Sequence, residues 1–205
     1  MIMGITFVVN LIIGYFIGQD EPYYTGALCS IFIMVGVTGV MIAAQTFPFA
    51  IGFSIRRLDF FLGTAAFAVL VSVAFAAALD ILTYVEQQSN GWGVRMHYFH
   101  LPWLSDGWAI SRFWVFLVGF LHLFFVGFVY ASVYRRFGRL GVLSLSAVLF
   151  VAGSFGTFLL TYYDQWGALL DFFKPLTSVE LFSWAAIPIP LYAAISYGLL
   201  RKSVA

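Results

Sequence analysis

Residues 47–63 read FPFAIGFSIRRLDFFLG, a charged and aromatic interruption between two long apolar runs. The reading of this stretch decides the fold. If the flanking runs form a soluble core, it is an ordinary surface loop. If they cross a bilayer, it is a short segment displayed at one membrane face. Composition favours the bilayer. Of 205 residues, 62% are hydrophobic and only 9% are charged, whereas soluble domains carry about 25% charged residues. The mean hydropathy is +0.97. Aromatic residues make up 20% of the chain, 24 of them Phe, which suits helices packed in lipid with aromatic belts.

The formal net charge is +1, so no basic surface speaks for nucleic acid as a partner. The single cysteine, Cys29, lies in an apolar run. It makes no intrachain disulfide or cysteine metal cluster, and it reads as a small buried hydrophobe. The N-terminal run lacks a basic leading segment and a small-residue cleavage site, so it reads as a retained span.

A spanning helix needs about 20 mostly apolar residues. Six candidates follow: 2–18, 25–45, 61–83, 109–134, 140–162 and 181–200. The expected fold is therefore all-α, a polytopic membrane protein with six transmembrane helices. An acidic turn, QDEPYY, separates the first two spans, and a long polar and aromatic loop covers 84–108. Arg56, Arg57, Arg135, Arg136, Arg139, Arg201 and Lys202 fall on one side. Only Arg95, Arg112 and Lys174 fall on the other, with Asp20, Glu21, Glu86, Asp106, Asp164, Asp171 and Glu180. The positive-inside rule makes the basic side cytoplasmic. With six spans both termini lie there.

Small residues mark expected helix contacts: Gly14 with Gly18, the alanines of the third span, and Gly153 with Gly156. In lipid, close backbone approach drives association. Pro188 and Pro190 are expected to break or kink the sixth helix.

Few residues offer chemistry. Asp80 is the one carboxylate within a span, and Arg112 is its expected partner. The pair is either structural or touches a substrate. His122 is the only histidine within a span, so a bis-histidine haem is excluded. Asp80, Arg112 and His122 are candidates for a translocation path. Asn10, Gln45, Thr157 and Thr161 either line a polar path or bond to neighbouring backbone. His97 and His100 sit in the outer loop without a completing ligand set, so no metal is assigned. HExxH, GxSxG and GxxxxGK[ST] motifs are all missing from the sequence, and no catalytic residue is assigned.

Within the quoted stretch, Pro48 suits the first turn of a helix. Ile51, Ile55 and Leu58 recur at helical spacing, with Arg56, Arg57 and Asp59 supplying charge. A short amphipathic helix over 47–60 is expected. It rests on headgroups, or it couples to a soluble motor.

The sequence TFPFAIGFSIRRLDFFLGT, Thr46 to Thr64, resembles the first cytoplasmic loop of ATP-binding-cassette exporter permeases of the type-2 class, particularly small actinobacterial ones. NGWGVRMHYFHLPWLSDG (Asn90 to Gly107) and VYRRFGRLG (Val133 to Gly141) are similar to the same group, as is the order of spans. Such permeases carry a cytoplasmic segment before the first span, whereas this sequence begins within one. The resemblance implies a multi-pass subunit of the bacterial plasma membrane, paired with a second copy or a related permease. It implies an ATP-binding partner that holds ATP and Mg, with no cofactor in this chain. Phe47, Phe49, Ile51, Phe53, Ile55, Arg56, Arg57 and Asp59 would couple to that partner. Arg135, Arg136 and Arg139 would make a secondary contact there or anchor to membrane lipids. The competing expectation is a structural or assembly subunit of a larger membrane complex.

Overall fold

The computed structural model describes residues 2–17, 23–26, 28–104 and 107–203. Gly18, Asp20, Glu21 and Asp106, named above in a contact pair and in outer segments, lie outside them. Among the described residues the chain is all-α apart from two short strands. Helix α1 covers Ile2–Ile17 and α2 covers Leu28–Met41, which passes through a π-helical turn at Ile42–Thr46 into α3, Phe47–Gly52. Helix α4 covers Arg57–Gln88 and α5 Ala109–Tyr162; α6 (Trp166–Phe173), α7 (Ser178–Ala186) and α8 (Pro188–Arg201) follow. Strands β1 (Tyr23–Tyr24) and β2 (Met96–His97) pair in parallel. Among the described residues, four helical stretches are long and apolar enough to cross a membrane: Leu28–Gly52, Arg57–Gln88, Ala109–Tyr162 and Ser178–Arg201. Helix α1 is shorter.

Helix α5 is two limbs. Gly138 takes φ 66° and ψ −157°, a region closed to residues with a Cβ. Tyr130 and Ser146, equidistant from Gly138 in sequence, meet through their hydroxyls at 3.3 Å. The limbs 109–137 and 139–162 are therefore antiparallel. Glycine has no Cβ, so it reaches this backbone conformation and reverses the chain at the basic turn.

The core lies between α2, α4 and the first limb of α5. Phe116, Phe120, Phe124 and Phe128 recur every fourth residue and are all buried, the spacing that stacks side chains along one helix face. Phe32 stacks on Phe120 at 4.5 Å. The alanine-rich α4 brings Ala68 and Ala76 fully inside. Helices α2 and α5 touch backbone to backbone: a Cβ at Gly39 would strike the Phe124 carbonyl, and one at Gly127 the Gly36 carbonyl. Such close backbone approach multiplies the dispersion contacts between the two helices.

Several expectations are redrawn. Gly153 and Gly156 meet no neighbour within the chain, and the limb that carries them is exposed along nearly its whole length. Gly14 packs on Val94 of the loop between α4 and α5. Cys29 is exposed rather than buried. The expected helix over 47–60 is divided. Its first part continues α2, residues 53–56 form a tight link, and α4 begins at Arg57. The third apolar helix therefore extends beyond 61–83 at both ends. The prolines interrupt the sixth run at Ile187, whose φ and ψ stay helical. A helix, α6, occupies part of what reads as loop. Helix α7 starts before 181 because Thr177 and Glu180 form a capping box: the Thr177 hydroxyl accepts from the Glu180 N–H, and the Glu180 carboxylate accepts from the Thr177 N–H.

Candidate functional site

Arg56, Arg57, Arg135, Arg136, Arg139, Arg201 and Lys202 lie at the connected ends of α3, α4, the α5 hairpin and α8, and the quoted stretch lies among them. Phe47 is buried edge-to-face on Phe60, with ring centroids 5.2 Å apart. Phe49 and Phe53, 67% and 68% exposed, pack on each other at 4.8 Å. Ile51 is half-buried, while Ile55, Arg56, Leu58 and Asp59 are exposed. The expected coupling residues thus separate into a mount, Phe47 and Ile51, and a projecting knob of Phe49, Phe53, Ile55, Arg56 and Asp59.

Arg57 belongs to the mount. Its Nη1 donates to the carbonyls of Leu200, Arg201 and Ser203 at 2.8, 2.9 and 2.8 Å. A helix ends with carbonyls that lack partners, and here one guanidinium supplies them. Arg57 thereby ties the start of α4 to the end of α8.

Arg135 answers a different need. Pro48 carries no N–H, so it can donate to neither Ala44 O, four residues back, nor Ala43 O, five back. Arg135 Nη2 donates to Ala44 O at 2.8 Å and Nε to Ala43 O at 3.3 Å. The π-helical turn and the arginine together accommodate the proline inside a continuous helix. Arg136 is different again, with its guanidinium over the Phe137 ring at 4.9 Å. Arg139 is exposed just past the hairpin turn.

At the opposite end the expected pair is present: Arg112 Nε donates to Asp80 Oδ1 at 2.9 Å. Arg112 Nη1 also reaches Gln87 Oε1 at 3.3 Å. The pair joins α4 to α5, and both side chains are largely withdrawn from solvent. Thr157 and Thr161 donate to carbonyls four residues back, and Asn10 does likewise to Thr6 O.

The residue that the sequence concealed is Glu86. It is fully buried in the last turn of α4. Its Oε2 accepts from Phe99 N at 2.8 Å, Tyr98 N at 3.1 Å and Trp92 Nε1 at 3.1 Å. Its Oε1 accepts from His100 N at 3.0 Å, and His97 Nδ1 stands 3.5 Å away. One carboxylate gathers the loop between α4 and α5 around itself, because charge-assisted bonds to several backbone N–H groups offset its desolvation. The loop also grips α1, where Thr6 Oγ1 and Tyr98 Oη lie 2.8 Å apart. His97 stacks on Tyr24 at 4.9 Å. Among the described residues no three metal-ligating side chains converge.

His122 stands apart from Asp80 and Arg112. Its Nδ1 is 3.1 Å from Ala185 O, and its ring meets Tyr192 edge-on at 5.4 Å. It lines an apolar groove of about 540 Å³ between α2, α5 and α7, with Cys29, Phe32 and Phe182. Gly119 lets the Phe32 and Phe182 rings come against the helix backbone. The three residues expected along a path are thus divided between an ion pair and an apolar groove. Comparison of the chain with family models, with characterised proteins and with solved structures returns no match.

Proposed function

We propose that this chain is the membrane-spanning subunit of an ATP-binding-cassette exporter. In this reading it crosses the bacterial plasma membrane six times with both termini in the cytoplasm. The hairpin at Gly138 and the short α1 make up the six. ATP and Mg are held by a separate subunit, and a second copy completes the pathway.

The observation that carries the reading is the knob of Phe49, Phe53 and Ile55, flanked by Arg56 and Asp59. It is exposed, while Phe47 and Arg57 beside it are packed or bonded into the bundle. Large apolar side chains ringed by charge make an interface core with a polar rim. A partner that moves the knob moves the ends of α2 and α4, and through Arg57 the end of α8. Such rigid-body displacement of packed helices biases an inward-to-outward equilibrium. The apolar groove beside His122 favours a lipid, peptide or drug-like substrate.

A structural subunit is the second reading, favoured by the aromatic packing that fills the space between α2, α4 and α5. Co-expression with an ATP-binding subunit separates the two. The Phe49→Ala, Ile55→Ala, Arg56→Ala variant should insert and melt like the parent, yet lose the partner and any effect on its ATPase activity in lipid. Undiminished co-purification and ATPase activity overturn the exporter reading.

A further inference from the structure

The seven cations at the basic end are not equivalent. Arg57 and Arg135 spend their donors on backbone carbonyls. Arg136, Arg201 and Lys202 instead border a single hollow of about 400 Å³ between the first limb of α5 and the last turns of α8. Among the described residues, none of these three side chains makes a hydrogen bond or an ion pair with another side chain or with the backbone. Nor do they need to cap α8, since Arg57 already occupies its final carbonyls and offsets the negative end of the helix dipole. Three like charges around one concavity create a field that an anion relieves.

The walls say which anion. Ile195 and Leu199 line the same hollow. Next to Arg136, Phe137 and Leu140 are exposed. A Cβ at Gly198 would meet nothing within 4 Å, so a headgroup has room to approach the helix. A free phosphate would leave these apolar walls wet, whereas a phospholipid covers them with its chains. We propose that this hollow is a site for an anionic phospholipid, its phosphate among Arg136, Arg201 and Lys202 and its acyl chains along Ile195 and Leu199. The site stands whether or not the chain works with an ATPase.

The test is thermal melting of the purified full chain in detergent with added phosphatidylglycerol, phosphatidylcholine or inorganic phosphate. Native mass spectrometry counts the lipid retained. Phosphatidylglycerol should raise the melting temperature saturably, and phosphatidylcholine and inorganic phosphate should not. Removing one cation from around the headgroup should weaken binding about five-fold, so Lys202→Gln raises the half-saturating concentration by about that factor. The triple variant Arg136→Gln, Arg201→Gln, Lys202→Gln should retain no phosphatidylglycerol. The control Arg56→Gln, Arg139→Gln, which removes cations outside the hollow, should match the parent. If the triple variant fails to fold, Lys202→Gln decides on its own. An equal weakening in the control, an unchanged Lys202→Gln, or an equal effect of inorganic phosphate overturns the proposal.

Discussion

A single carboxylate organises the loop between α4 and α5. Glu86 holds the N–H groups of Tyr98, Phe99 and His100 and the indole of Trp92. Replacing it by Gln keeps the shape but turns an acceptor into a donor that faces other donors. Leaving buried groups unsatisfied costs about 1–3 kcal/mol each, and more where a charge was involved. Glu86→Gln should therefore release the loop before it unfolds the bundle. Hydrogen exchange should accelerate by at least about ten-fold at the amides of 98–100 while those of 116–128 stay protected. Nothing in the sequence marks Glu86. It ends an apolar run, as solvated loop acids do, and its partners are backbone groups that any sequence possesses. Asp80 and Arg112 were legible for the opposite reason: two opposite charges at matching depths in apolar helices have few alternatives.

At the scale of elements, proline and arginine answer each other across 87 residues of sequence, Pro48 in α3 and Arg135 in α5. Arg135→Met strands two carbonyls and should cost about 1–3 kcal/mol. Pro48→Ala restores an N–H in place. In the double variant the new N–H serves a stranded carbonyl, so the loss should be smaller than the two single effects added together. Chemical unfolding of all four proteins closes the cycle; strict additivity would mean that Arg135 does not stand in for the missing donor. The helices themselves were legible as apolar runs, and the basic turn was legible as a break. The division of 47–60 was not, because amphipathic spacing is the same whether a segment is free or extends the preceding helix. The Thr177 to Glu180 box is a signal that the sequence carries openly, in the order Thr-x-x-Glu, ahead of the last apolar run.

The whole molecule is lopsided. The first limb of α5 is surrounded by α2, α4, α7 and α8, and the second is bare on nearly every side. Spin labels placed along 115–128 in the isolated chain should report oxygen accessibility that rises and falls with the helical period of about 3.6 residues. Labels along 147–155 should report uniformly high values. A protected stripe there would mean that another protein surface covers the limb. Composition made the long apolar helices legible. The uneven distribution of neighbours was not legible, because both limbs are equally apolar and only their packing distinguishes them.

Order of synthesis gives the two ends of the molecule different histories. The bonds that Glu86 accepts close within 14 residues of it, so they can form before the last helices of the chain have been made. The bonds that Arg57 donates wait for Leu200, 143 residues later. The end that Glu86 organises can thus be sealed before the basic end. The basic end stays unlatched until the last helix has arrived. Interruption upstream of Leu200 would leave a protein finished on one face and open on the other, a form that quality-control proteases could recognise by the loose start of α4.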